Sequence, residues 1–278
     1  MNKRILFLFL TLLFAFVSTE GYCGTILTNV TARTVITPSG QIEIKYEITN
    51  TGDDTAYHVT VTTFIALEVS KSDDLGSNPP GGLLRYDCIL TPDGLTPGKY
   101  TLVTRINFNE QGGALHRVYL FTPLRYRLDR AGESQPDISV DLTEPHMNVK
   151  SFWQSDGKCK LSLKNNLGVS IRPVVTLYLP DGFMTSEPER SYELAAGEKK
   201  EVVVPLEMDS SVRETLPVYV VAWYEHNGIH TSLWIERKII VEQRPVYFKA
   251  FLIITGMALA IILIVVFYRR RGDRKSQL

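Results

Sequence analysis

From residue 25 to residue 244 apolar positions recur with a period of two. Ile42, Ile44, Tyr46 and Ile48 alternate with Glu43, Lys45 and Glu47, the pattern of a strand with one face buried and one in water. Val59 and Val61, among threonines, predict the next strand, and Leu83 to Leu90, Tyr100 to Phe108 and Leu115 to Phe121 predict three more. Gly and Pro punctuate the gaps: Pro79-Pro80-Gly81-Gly82, Pro92-Asp93-Gly94, Pro97-Gly98 and Gly112-Gly113. Helical periodicity is nearly absent from this span. Short strands at this spacing predict an all-β ectodomain of sandwich type.

The second half of the span repeats the first. Ile44, Tyr46 and Ile48 correspond to Cys159, Leu161 and Leu163, and Asn50 to Asn165, all at an offset of 115. Val59 and Val61 fall on Val175 and Leu177, Leu83–Leu90 on Glu201–Met208, and Gly112 on Gly228. Leu102, Thr104, Ile106 and Phe108 fall on Val218, Val220, Ala222 and Tyr224. Inward positions kept in phase over this length predict one fold occurring twice, at 25–130 and 137–242. The polar stretch Arg127 to Pro136 marks the boundary, and Asp137 to Lys150 is expected to open the second unit.

The two ends of the chain carry a different pattern. Lys3 and Arg4 precede the apolar run Ile5 to Val17, and small or polar residues follow, so residues 1–24 predict an export signal. An uncleaved anchor helix competes, but the run is short for a span. Tyr22 is too bulky for a lipobox before Cys23. Ala250 to Tyr268 contains no charge. Nineteen residues at ~1.5 Å each give about 28 Å, close to the ~30 Å hydrocarbon core. A transmembrane helix is expected over 246–268. Tyr247, Phe248 and Tyr268 are placed for its interfaces. Arg269, Arg270 and Arg271, with Arg274 and Lys275 beyond, act as a stop-transfer signal and put the basic tail 269–278 in the cytoplasm. The expected product is an all-β ectodomain held outside the cytoplasm by a single span.

Motifs within the repeat resemble a known family. Glu47-Ile48-Thr49-Asn50-Thr51-Gly52-Asp53-Asp54-Thr55-Ala56 resembles the "x-N-x-G-x-x-x-A" signature of bacterial Ig-like modules. Leu95-Thr96-Pro97-Gly98-Lys99-Tyr100 is similar to the "L-x-P-G-x-Y" corner of the CARDB family, the cell-adhesion-related domain in bacteria. The resemblance implies two Ig-like β-sandwiches in tandem. It also implies a tyrosine corner, in which the Tyr100 hydroxyl bonds backbone just upstream. The second unit keeps Asn165-Asn166-Leu167-Gly168 but has Leu216-Pro217-Val218-Tyr219 where the corner would stand. These motifs are turns and core positions and specify fold, not activity.

Composition narrows the function. Apolar residues make up 44%, enough for packed cores, and the formal net charge is zero, so nucleic acid is not an expected partner. Of the three cysteines, Cys159 is in phase with Leu161 and Leu163 and faces a core; Cys23 and Cys88 could pair within the first unit. His226 and His230 flank the Asn227-Gly228 turn and could approach one another. Glu225 is the one further metal ligand nearby, so solvated hairpin histidines are expected, with no cofactor and no metal. Asp53-Asp54 and Asp73-Asp74 fall in loops without a calcium-loop pattern. No nucleophile elbow, zincin, P-loop or dinucleotide motif occurs, and a non-enzymatic chain is expected. Asn29-Val30-Thr31 is a glycosylation sequon that matters only in a eukaryotic host. The polar stretch Glu68 to Gly82, with Asp73, Asp74 and Asn78, reads equally as a candidate binding loop, because loops on a rigid β scaffold carry binding, and as a longer, inert connection.

These readings converge on a membrane-anchored binding or scaffolding protein. Its expected partner is an envelope protein or polysaccharide, and its expected site is the periplasmic face of a bacterial inner membrane, ahead of a Gram-positive or archaeal surface. Gly256 and Ala260 give the span a small-xxx-small spacing suited to helix contact within a complex. Two alternatives remain. One is a surface protein sorted in the exosortase manner, although Gln243-Arg244-Pro245-Val246 stands where the Pro-Glu-Pro motif belongs. The other is a carbohydrate-binding accessory module.

Overall fold

A computed structural model describes residues 25–66, 68–92, 94–128, 137–148, 157–209, 212, 214–242 and 254. Every described element is a strand, and the protein is all-β with several sheets. The signal segment, Cys23, the arginines 269–271 and, Ile254 excepted, the apolar segment 246–268 lie outside these residues. Among the described residues no helix is long and apolar enough to cross a membrane.

The first seven strands enclose one core. β1 (Thr28–Ile36), β2 (Ile42–Asn50), β3 (Tyr57–Ile65), β4 (Glu68–Lys71), β5 (Leu83–Leu90), β6 (Gly98–Asn109) and β7 (Leu115–Tyr126) follow one another along the chain. β1-β2-β5 form one sheet, and β4-β3-β6-β7 form the facing one. The period-two alternation works as read: Ile42, Ile44, Tyr46 and Ile48 from β2 meet Val59 and Val61 from β3 and Leu102, Ile106 and Phe108 from β6. Tyr46 carries a polar tip into this core. Its hydroxyl lies 2.8 Å from both the Thr63 and the Thr104 hydroxyls, so the buried oxygen is satisfied. Burial pushes its pKa up to about 12.

The remaining nine strands enclose a second core, from Ile138 to Val241. β8 (Ile138–Thr143) and β9 (His146–Asn148) come from the stretch expected to open this unit. They split at Glu144-Pro145. β8 pairs with β10 (Gly157–Asn165), whereas β9 crosses to the other sheet. Proline removes a ladder donor at the break. β11 (Val174–Tyr178), β12 (Phe183–Met184), β13 (Glu189–Ser191), β14 (Lys199–Met208), β15 (Leu216–His226) and β16 (Ile229–Glu242) complete the unit. Its sheets run β12-β14-β10-β8 and β13-β11-β15-β16, with β9 beside β16.

The repeat is visible in two buried asparagines. Asn50 Nδ2 donates to the carbonyls of Asp54 at 2.7 Å and Asn78 at 2.9 Å, and its Oδ1 accepts from the Gly52 amide at 3.0 Å. Asn165 does the same one module later, donating to Val169 and Ala195, both at 2.8 Å, and accepting from Leu167 at 2.9 Å. Each side chain closes its own turn and ties it to a segment about thirty residues on. Gly52 is needed for a further reason: a Cβ there would overlap the Thr25 carbonyl.

The cysteines among the described residues are spent on packing, and the expected Cys23–Cys88 pairing involves a residue outside them. Cys88 and Cys159 are buried free thiols in the two cores, and Cys159 is raised to about 12 by burial. Replacing either asparagine with alanine removes its donors from the Asp54 or Val169 carbonyl and from the carbonyls far along the chain, which keep only their backbone donors, and should cost about 1–3 kcal/mol in urea unfolding. Neither Cys88 nor Cys159 should react with a thiol reagent until the chain unfolds; rapid modification of the native protein would contradict this packing.

Candidate binding surface at the seam between the two modules

Two residues at the start of β6 bring the modules together. Pro97-Gly98 starts β6, and the Tyr100 hydroxyl donates back to the Thr96 carbonyl at 2.7 Å. β3 leaves the edge of β6 at Val103, so the first residues of β6 have an open side. β16 fills it. Its pairing is parallel, His230 opposite Gly98 and Thr231 opposite Lys99, and the His230 amide donates to the Pro97 carbonyl at 3.0 Å. A Cβ at Gly98 would overlap the His230 carbonyl, so only glycine lets the two backbones approach this closely.

Side chains complete the contact. The His230 ring stacks on Tyr100 at 3.9 Å and 5°, and on Trp223 at 5.4 Å. Ser232 Oγ donates to Thr101 Oγ1 at 2.8 Å, and Thr96 Oγ1 donates to Glu225. Below this lies a third apolar cluster that belongs to neither core. Val103, Phe121 and Val221 are its buried members, with Phe64, Tyr119, Tyr178 and Tyr219 packed against them. Phe121 meets Tyr219 at 4.5 Å and the half-exposed Trp234 at 5.2 Å. Tyr178, from the second module, is raised to about 12 by burial against Tyr119 of the first.

Two clefts open along the seam. A small one of about 60 Å³ is lined by Tyr100, Thr101, His230, Ser232, Trp223 and Glu189. A larger one of about 270 Å³ is walled by Tyr119, Pro180, Leu216, Pro217 and Tyr219, with Arg117 and Asp181 paired at 3.4 Å beside it. Aromatic and proline walls with one ion pair suit an apolar side chain of a partner better than a reacting substrate.

The residues singled out from sequence fare differently. Tyr100, Pro97 and Gly98 stand at this seam; Asn50, Gly52 and Cys159 serve the two modules' interiors. The stretch Glu68 to Gly82 is not a projecting loop. Residues 68–71 are β4, and Ser72, Leu75, Gly76 and Asn78 are hydrogen-bonded along β3. Asn78 is 1% exposed and donates to the Ile48 carbonyl at 3.1 Å, so its side chain is held within the first core. Asp73 is exposed, and Asp74 pairs with His58 at 2.7 Å, which lowers the Asp74 pKa through that hydrogen bond first and the Gly76 amide second. His230, expected in solvent beside its turn, is 5% exposed because β16 runs under the first module. Among the described residues no group of three or more His, Cys, Asp or Glu side chains is placed to hold a metal.

Sequence reading missed Tyr119, Phe121, Tyr178, Tyr219, Trp223 and Trp234. A signal was present: Leu216 to Tyr224 is apolar on both faces, as in strands buried on two sides.

No family model and no curated protein matches the chain. Among solved structures it has a remote likeness to red sea bream transglutaminase, at 11% identity and a TM-score of 0.26, over 82% of this chain and 34% of that one. It has another to the native conformation of E. coli alpha-2-macroglobulin, at 8% identity and a TM-score of 0.31, over 78% of this chain and 17% of that one. The chain thus spans about a third of the first and a sixth of the second.

Burial holds His230 neutral, with a pKa down to about 4, against an opposing pull from Glu225. Its folded value lies below the unfolded 6.5. Its contribution is therefore complete above about pH 6.5, lost as pH falls toward 4, and constant below. Unfolding by urea at pH 7.5 and at 4.5 should show a loss of roughly 2–3 kcal/mol that His230→Phe, which keeps the stack, abolishes. Gly98→Ala should part β16 from β6 while leaving both cores formed, seen as red-shifted tryptophan emission, to which Trp223 and Trp234 at the seam contribute, with an unchanged far-ultraviolet spectrum.

Proposed function

We propose that the protein is a non-catalytic, membrane-anchored scaffold that presents two Ig-like modules of CARDB type, as one rigid unit, to a partner outside the cytoplasm. The observation that carries this reading is the seam. A strand pairing, a stacked histidine and a seven-membered apolar cluster join the modules. Modules meant to swing independently need no such contact, because a linker alone gives them a small polar interface. A fixed relative position matters when one partner touches both modules at once, since no ordering cost then falls due on binding.

The polar groups at the seam support binding over reaction. The Tyr100 hydroxyl, the Thr101–Ser232 pair and the Thr96–Glu225 pair are each committed to a structural hydrogen bond. The larger cleft offers two tyrosines and two prolines to an incoming apolar group. We take the partner to be an envelope protein, with a polysaccharide as the second reading on the strength of the aromatic side chains around Trp234. The ectodomain faces the periplasm of a bacterial inner membrane, and the basic tail the cytoplasm.

Crosslinking in native membranes, followed by purification of the full-length chain, tests this. One recurrent protein partner is expected, and Tyr219→Ala with Pro217→Ala should reduce its recovery several-fold. Recovery of no protein, together with retention of the ectodomain on an envelope-glycan array, would move the reading to polysaccharide.

A further inference from the structure

We infer that one end of the ectodomain lies on the same bilayer as the chain's own apolar span. The turns at 110–114 and 179–182 would form its headgroup-facing surface. The inference rests on the anchored reading above and adds an orientation to it.

The argument is one of strand direction. β6 and β16 are parallel where they pair, at Gly98 and His230. Contacts then advance in step along both strands. Phe121, opposite Val103 on β6, stacks on Trp234, four residues past His230. Tyr119, opposite Arg105, meets Tyr178, which is level with Tyr219 and through it with Glu236 on β16. Arg117, opposite Asn107, pairs with Asp181 at 3.4 Å. The modules therefore lie flank to flank. The turn after β6 and the turn after β11 sit at the end toward which β16 runs.

β1 starts at that same end. Thr28 pairs with Asn50, and the connection from Asn50 leads into β3 at Tyr57, opposite Asn109 at the tip of β6. The Thr51 and Asp53 amides hold the carbonyls of Leu27 and Thr25 there. Thr25 and Glu242 thus leave the ectodomain together. Only seven residues separate Glu242 from Ala250. Fully extended they reach at most about 25 Å, so the end that releases Glu242 cannot stand far from the apolar span.

Exposed apolar side chains stand at both ends, Val35, Ile89, Val169 and Ile229 at the far one, so it is the tether that selects the end facing the bilayer. Leu27, Leu83, Leu115 and Met184 stand at this near end with 55%, 45%, 47% and 61% of their surface exposed. Arg117 stands at this end as well, its guanidinium paired with Asp181 at 3.4 Å. The contact draws on apolar side chains held in place by a tether, and not on a strong positive field.

The test uses the full chain in vesicles of phosphatidylcholine and phosphatidylglycerol. A fluorophore is placed at Leu115→Cys or Met184→Cys, and at Val35→Cys or Ile229→Cys at the opposite end, with the label taken up by the parent chain subtracted. All four positions are exposed, and an unchanged far-ultraviolet spectrum confirms each fold. A lipid carrying a nitroxide on its headgroup should quench emission at 115 and 184 and leave 35 and 229 bright. Equal emission at all four sites, or quenching of 35 and 229 instead, would overturn the orientation. Washing the vesicles with alkaline carbonate reads the anchor separately: a protein that stays bound keeps the anchored reading whatever the quenching shows, and one that washes off removes it.

Discussion

The approach of the β16 backbone to Gly98 is the constraint on which the two-module body depends. A hydrogen-bonded parallel pair only two residues long contributes little by itself. It nevertheless sets the register from which the His230 stack, the Ser232–Thr101 bond and the Phe121–Trp234 contact all follow. A side chain at position 98 would have to displace backbone, not a flexible tip, so the cost cannot be spread over small adjustments. The Tyr100 corner matters for the same reason. It holds the start of β6 at the point where β3 has already left, keeping that edge open for a strand from the other module.

Within each module a different device sets the geometry. Asn50 and Asn165 are fully buried amides whose donors and acceptors are used by backbone groups of their own turn and of a segment far along the chain. A hydrophobic side chain of equal size would take the amide donor from the Asp54 or Val169 carbonyl and cut the tie to the distant segment, which explains why a polar residue is tolerated at the end of an otherwise apolar strand face. The neighbours differ between modules, Asp54 and Asn78 in one and Val169 and Ala195 in the other. What repeats is the backbone path that the amide spans, and the side chains around it are free to vary.

Much of the strand layout was legible because half-buried strands write their inner face into the sequence at every second residue. Ile42 to Ile48 and Cys159 to Leu163 are plain cases, and their constant offset carried the repeat. The seam was not legible, since alternation tells which residues are buried but not against what. Val103, Phe121 and Val221 occupy outward positions, and only the meeting of two sheets turns them inward. The stretch from Glu68 to Gly82 misled for another reason. Its glycines, prolines and acids read as a free loop, yet backbone hydrogen bonds, which composition does not reveal, bind it along β3. His230 misled through its neighbours: a histidine two residues past an Asn-Gly turn ordinarily reaches water, and here a second module covers it.

The codirectional run of β6 and β16 also decides how the body answers to mechanical load. Force applied between the first module and the C-terminal end of β16 acts along the two strands. It would slide one past the other, so both hydrogen-bonded pairs and the stacked rings would have to yield together. Had the strands met crosswise or head-on, the same force would have unzipped them one bond at a time. The weak direction of the junction is the other one: a pull across the strands, along their hydrogen bonds, loads those bonds one at a time.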